Sequence, residues 1–234
     1  CVCVCVRVCV RAMVISVGRL EAILAPRRLA RLRQALQMRV ASVEVVLENL
    51  TDDHNASACM RTCEAMGIQR VNVVESFSLL PLSNSVSSGA TKWLEVVRFR
   101  SAQQCVQDLR DRGFQIFSSV LSPDAQPIAS LKWDAMPRVA LVLGNERRGV
   151  SSLMQSLCDG AFILPMRGFT ESYNVSVACA MSLYHLEREG RLQPDLHHLS
   201  EQEVERIWTR WLLQEIPKSK SKKVQDLGHI EGYT

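Results

Sequence analysis

Three stretches of this chain concentrate side chains that can bind or orient a ligand. In ILPMRGFTESYNVSVACAM (Ile163 to Met181) an apolar run gives way to Thr170, Glu171, Ser172 and Asn174, then to small apolar residues. LVLGNERRGVS (Leu141 to Ser151) is a second apolar run opening into a loop rich in glycine and polar groups, and NASACMRTCEAMG (Asn55 to Gly67) carries Asn55 and Arg61. Ser172 and Asn174 have an ordinary use as the N-cap of the helical run behind them and a functional one as hydrogen-bonding groups facing a ligand. Several chemistries are disfavoured. Gly144 and Gly149 have the G-x-x-x-x-G spacing of a phosphate loop, but Val150 follows where Lys and Ser or Thr are required, and no G-x-G-x-x-G follows a strand. No serine sits at a nucleophile elbow with His and Asp partners, and the histidines are scattered at surface-type positions, His54 beside Asn55 excepted.

The elements that must hold these stretches read as an α/β alternation. RRLARLRQALQMR places Leu29, Leu32 and Leu36 on one helical face and Arg28, Arg31, Arg33 and Arg39 around the rest. VEVVLE (Val43 to Glu48) reads as a buried strand, the Asn55 stretch as a helix closed by Gly67, and RVNVVE as another strand, a βαβ unit. A Ser- and Asn-rich loop (Ser83 to Gly89) leads to a strand in WLEVVRF and to a helix capped by Ser101 and Gln104 that ends at Gly113. FQIFSSVL, RVALVLG and GAFILP add three strands, with a short helix from Ser151 between the last two. A long helix from about Asn174 to Glu189 follows, then a last one from Ser200 and Glu203 through IWTRWLLQE. The fold class is α/β, a mainly parallel sheet with helices on both faces. In such sheets ligands sit beyond the carboxyl ends of the strands, where the GNERRGVS and PMRGFTESYN loops lie.

Composition sets the outer bounds. The 234 residues are 47% hydrophobic and 22% charged, as in one ordinary globular domain. We place that domain at 25–216, with an N-terminal extension at 1–24 and a basic tail at 217–234 that includes KSKSKK. The net charge of +4, gathered in clusters, favours a nucleic-acid partner. Cys59, Cys63, Cys105, Cys158 and Cys179 fall in helix-like core segments, which suits free thiols and a reducing compartment. The opening CVCVCVRVCVR alternates Cys and Val without a His or a second ligand pair, so no metal is expected there. Its arginines leave an organelle presequence open beside a cytoplasmic location. No apolar run reaches the roughly 18 to 20 residues of a membrane span.

In the three stretches the chain resembles the SPOUT-class RNA methyltransferases of the TrmH (SpoU) family. Asn55 to Gly67, Leu141 to Ser151 and Ile163 to Ala178 match in order, and the resemblance runs from about Arg27 to Glu215. It departs at TDDHN (Thr51 to Asn55), where close relatives often carry Lys-Pro before the His-Asn. The resemblance implies that the last stretch is threaded as a deep trefoil knot, a rare exception to unknotted chains. It also implies S-adenosylmethionine as cofactor, a homodimer, and methylation of a ribose 2′-hydroxyl in tRNA, at guanosine 18 of the D-loop. Ser119, Gly144, Leu164 and Tyr173 would line the cofactor pocket, with Met166 packing beside Leu164 on the adenine ring. Ser172 and Asn174 would stand where cofactor and ribose meet, orienting the hydroxyl.

Arg61 takes the central catalytic role by the same resemblance. A guanidinium stays protonated in nearly every protein setting, so Arg61 suits the phosphate beside the target ribose better than the proton itself. Glu146 would orient Arg61 or Asn55 through a charge-assisted hydrogen bond. Away from these loops, Arg28, Arg31, Arg33 and Arg39, with Arg188 and Arg191 at the end of the long helix, form clusters that read phosphates rather than bases. Trp208, Trp211 and Leu212 are expected at the dimer interface, with packing inside their own chain as the competing reading. Methylation of ribosomal RNA is the alternative within the class, and a catalytically silent RNA-binding module the alternative outside it.

Overall fold

A computed structural model describes residues 17–76, 89–122, 125–193 and 199–215. Most of the N-terminal extension, the Ser83 to Ser88 loop and the tail at 217–234 lie outside the described residues. The chain divides into two units, 1–34 with 202–234, and 35–201.

The larger unit is built on strands β1 (Val43–Glu48), β2 (Arg70–Val74), β3 (Glu95–Phe99), β4 (Gln115–Ser119), β5 (Gln126–Pro127), β6 (Val139–Leu143) and β7 (Gly160–Ile163). They form one sheet in the order β3-β2-β1-β6-β4-β7-β5, and every pairing is parallel. The helices of this unit are α3 (Asp53–Ala65), α4 (Ala102–Asp111), α5 (Ser152–Leu157) and α6 (Val175–Arg188).

Parallel strands need crossovers that cover both faces, so their sequences are apolar at consecutive positions. β1 shows the consequence. Val45 and Leu47 join one core with Met60 and Cys63 of α3 and Leu183 and Leu186 of α6. Val46, between them, joins the opposite core with Cys105 and Leu109 of α4 and Met154 of α5. Trp133, fully buried, fills the first core edge-on to Phe117 at 5.3 Å and donates its indole N–H to the Ile128 carbonyl at 2.8 Å. Glu44 and Glu48 are the polar exceptions in β1, and Glu44 illustrates how such a group is held. Glu44 is satisfied by the Arg112 guanidinium and by Asn72 Nδ2 at 2.8 Å, because a buried carboxylate survives only when paired.

Helix ends fall where the side chains demand. Asp52 caps α3 by accepting from the His54 N–H at 2.8 Å, and α3 stops before Gly67, at φ 81°. Ser101 caps α4, Ser151 caps α5 and Asn174 caps α6. Cys59, Cys63, Cys105, Cys158 and Cys179 are free thiols.

The smaller unit joins α1 (Val17–Glu21), the greater part of α2 (Pro26–Gln37) and α7 (Glu201–Glu215). Arg28 Nε donates to Glu215 at 2.6 Å, Arg33 Nη2 to Glu21 at 2.9 Å, and the Trp208 indole to Glu21 at 2.9 Å. Trp211 and Leu212 are fully buried and Trp208 nearly so. The expected interface role of these three is therefore corrected: α7 turns its apolar face inward, within the chain. Among the described residues no helix is long and apolar enough to cross a membrane.

Candidate active site

The strand order reverses between β1 and β6, which places a crevice beyond their carboxyl ends. The loops after β6 and β7 meet there with the start of α3 and the end of β4. The loop after β6 is closed on itself: Asn145 and Gly149 exchange backbone hydrogen bonds of 3.0 and 2.8 Å. A Cβ on Gly144 would lie 2.2 Å from the Gly149 carbonyl carbon and from the Val150 nitrogen, so only glycine fits. Asn145 Oδ1 accepts from the N–H groups of Arg147 and Arg148, and its Nδ2 donates to the Asn49 carbonyl at 2.7 Å. The far end is clamped by Glu48, 2% exposed, which accepts from Ser151 N at 2.8 Å and Oγ at 2.6 Å. Glu48, Asn49, Asn145 and Ser151 were not singled out as site residues by sequence. The available signal was an acid and an Asn ending an apolar strand, and Asn49 does adopt the left-handed φ of 51° that Asn tolerates.

Glu146 then reaches back across the crevice. Its carboxylate accepts from Thr51 N and Oγ1, each at 3.2 Å, from Asp52 N at 3.3 Å and from Asn55 Nδ2 at 3.2 Å. Burial alone would raise its pKa, but its own backbone N–H, that of Thr51, the Asn55 amide and the Asp52 N–H outweigh it and hold the carboxyl below its ordinary value. Asn55 passes the contact on: its Oδ1 accepts from Asn174 Nδ2 at 3.0 Å. Asn174 Oδ1 in turn accepts from Ser176 N at 2.9 Å and Oγ at 2.7 Å, so Asn174 both caps α6 and joins the relay. Asn55 is thus one of the two partners expected for Glu146, and the bond to it closes the crevice.

Beside the relay lies a cavity of about 390 Å³. Ser119, Gly144, Leu164, Met166 and Tyr173, the whole expected cofactor set, line it, together with Glu146 and Ser172. Leu143, Leu164, Val175 and Ala178 supply its apolar lining, and Glu146, Arg147, Arg148 and Glu171 its charged residues. Tyr173 is held by donating its hydroxyl to the Pro165 carbonyl at 3.2 Å. Asn55 and Asn174 are adjacent through Glu146 rather than in the lining.

Arg61 is not brought into the cavity lining of its own chain; it is exposed on α3. Six residues along a helix place it about 120° around the axis from Asn55. Of the phosphate-reading arginines, Arg31 and Arg188 are exposed, while Arg28 and Arg33 are ion-paired. Two are corrected. Arg39 is 4% exposed, bound to Glu64 Oε1 at 2.6 Å and to the Ile68 carbonyl at 3.1 Å. Arg191 is 5% exposed and donates to the Pro137 carbonyl at 2.9 Å. Each follows the end of a helix, where periodicity no longer says which way a side chain points.

Residues 42–184 match the SpoU rRNA Methylase family. A tRNA (guanosine(18)-2′-O)-methyltransferase of Thermus thermophilus is 32% identical over 188 residues, 79% of this chain and 95% of that protein. The 23S rRNA (guanosine-2′-O-)-methyltransferase RlmB of Acinetobacter baylyi is 34% identical over 161 residues, 68% of this chain and 64% of that one. In the crystal structure of the A. aeolicus TrmH/SpoU tRNA modifying enzyme, 100% of the chain superposes on 86% of this one, with a TM-score of 0.73 and 30% identity. Taken with the loop geometry, the extent of these matches makes the chain a member of the SpoU methylase family.

Proposed function

We propose that this chain is an S-adenosylmethionine-dependent tRNA methyltransferase that modifies the ribose 2′-oxygen of guanosine 18. The observation that carries the reading is the hydrogen-bonded run Glu146, Asn55, Asn174 at the edge of a cavity lined by all five expected cofactor residues. The cavity suits the cofactor: Leu164 and Met166 would pack its adenine, and Ser119, Gly144 and Tyr173 would hold the remainder. When bound, S-adenosylmethionine supplies a methyl group on positively charged sulfur.

The chain's own residues do the rest. Ser172, at the cavity wall, and Asn174, locked by its cap and by Asn55, orient the ribose hydroxyl toward the methyl. Glu146 keeps Asn55 in register and remains anionic. Arg61 binds the phosphate next to the target ribose, and that phosphate or a water takes the hydroxyl proton, since the guanidinium is already protonated. Guanosine 18 as the target rests on the Thermus relative, matched over 95% of its length against 64% for the ribosomal-RNA relative.

The homodimer and the trefoil knot belong to the same reading. Val177, Met181 and Tyr184, spaced along one side of α6, are 45%, 38% and 62% exposed, an apolar stripe that a second copy would cover. The enzyme works where tRNA is found, in the cytoplasm, or in an organelle interior as the alternative. The test is to map 2′-O-methylation on unmodified tRNA and on a 23S ribosomal RNA fragment after incubation with protein and cofactor. Methyl at guanosine 18 alone is expected. Methyl only on the ribosomal fragment would overturn the substrate assignment.

A further inference from the structure

The loop that carries Met166, Glu171, Ser172 and Tyr173 to the cavity also carries a phenyl ring with nothing over it. Phe169 has a relative exposure of 108%, the highest among the exposed large hydrophobic residues. Single exposed apolar residues are ordinary, and this one alone would carry nothing. Its surroundings make the difference. Arg167, two residues before it, is exposed. Arg147 and Arg148 line the same cavity from the opposing loop and are exposed as well. Among the described residues none of these three guanidinium groups has a carboxylate within ion-pair distance, whereas Arg28 and Arg33 are each held by one. Glu171 and Glu146 stand at the same mouth, and Glu146 is occupied by Thr51, Asp52 and Asn55.

Aromatic faces interleaved with unpaired cations bind single-stranded nucleic acid: rings stack on bases, guanidinium groups take phosphates. We propose that the cavity mouth is an RNA-binding site in which Phe169 stacks on the base of an unpaired nucleotide, while Arg147, Arg148 and Arg167 hold the flanking phosphates. The proposal rests on RNA as substrate and goes further, in naming the contact that holds the nucleotide outside the cofactor cavity. On this proposal the target base leaves the RNA stack as its ribose reaches Ser172 and Asn174, and a ring on the same loop offsets that loss. Stacking is tolerant of base identity, so Phe169 contributes affinity and placement rather than the choice of guanosine.

The experiment compares the full chain with Phe169→Ala, Phe169→Leu and Phe169→Trp, using tRNA and a D-loop hairpin bearing 2-aminopurine at the target position. Phe169→Ala should lower kcat/KM for tRNA on the order of ten- to hundredfold, abolish the rise in 2-aminopurine emission that accompanies unstacking of the target base on binding, and leave the cofactor Kd within about twofold. Phe169→Trp should retain the rate, and Phe169→Leu should resemble alanine, which separates stacking from apolar bulk. Because the ring is exposed, the Tm should hold within about 1–2 °C. Changing Arg147, Arg148 and Arg167 together to Gln should lower the salt slope of hairpin binding by about two. An emission rise that survives unchanged in Phe169→Ala would overturn the proposal, as would an alanine variant whose only change is its oligomeric state. If the wild type bound the hairpin with the emission rise yet methylated no tRNA, the stacking site would stand and the catalytic reading would fall.

Discussion

Glu146 shows how one carboxylate can organise a site without touching the reacting atoms. Its four donors come from Thr51, Asp52 and Asn55, residues about ninety positions away in the chain. Because its pKa is depressed in the folded protein, the stability it adds is complete above the unfolded value of about 4.3 and is lost as pH falls through the folded value. Glu146→Gln should therefore be less stable than the parent at pH 7, with the gap closing in acid, as denaturant titrations at the two pH values would reveal. Its methyl transfer should fall by at least tenfold, since Asn55 and Asn174 lose their anchor; an unchanged rate would remove Glu146 from the relay. Arg61 and Gly144 make a contrasting pair. Arg61→Ala should abolish methyl transfer and leave cofactor affinity within a few-fold. Gly144→Ala, which forces a Cβ to 2.2 Å from the Gly149 carbonyl carbon, should lose the cofactor itself. Calorimetry distinguishes the two, and loss of cofactor in Arg61→Ala would contradict the assignment.

At the level of elements, α6 faces two ways. Cys179, Leu183 and Leu186 anchor it in the core shared with α3, while Val177, Met181 and Tyr184 point outward. A solvent-facing helix surface normally carries polar groups, and the proposed dimer would cover this stripe. α3, packed against α6, carries Arg61 on its exposed surface. Met181→Glu with Tyr184→Glu should give a monomer by light scattering at micromolar concentration while the far-ultraviolet circular dichroism stays that of the parent. A parent protein that is itself monomeric under those conditions would end the dimer proposal.

For the whole molecule, the question is which of its cations an RNA can use. A guanidinium already neutralised by a carboxylate displaces fewer counterions from a phosphate than an unpaired one. Replacing Arg31 or Arg188 by Gln should thus lower the salt slope of tRNA binding by somewhat under one each. The same change at Arg28 or Arg33, bonded to Glu215 and Glu21 at 2.6 and 2.9 Å, should lower it less. Arg39→Gln and Arg191→Gln should leave the slope unchanged and reduce stability, because both groups are buried against backbone carbonyls. Equal slopes across all six variants would show that binding does not depend on these positions.

Much of this was legible in the residues. Unbroken apolar runs announced strands buried on both faces, capping residues marked where α4, α5 and α6 begin, and the stretches around Gly144 and Asn174 identified two of the loops that form the cavity. These are local properties, set by side-chain period, capping chemistry and backbone sterics. The strand order was not local: that β1 lies beside β6 depends on which apolar faces bury each other, and periodicity is silent on that choice. The bond from Asn55 to Glu146, the buried fates of Arg39 and Arg191, and the inward turn of Trp208 and Trp211 were decided the same way. An arginine or a tryptophan has the same letter on either face of the chain. Only packing determines whether it meets a carbonyl, a carboxylate or water, because desolvating it is favourable or costly according to neighbours that lie far off in sequence.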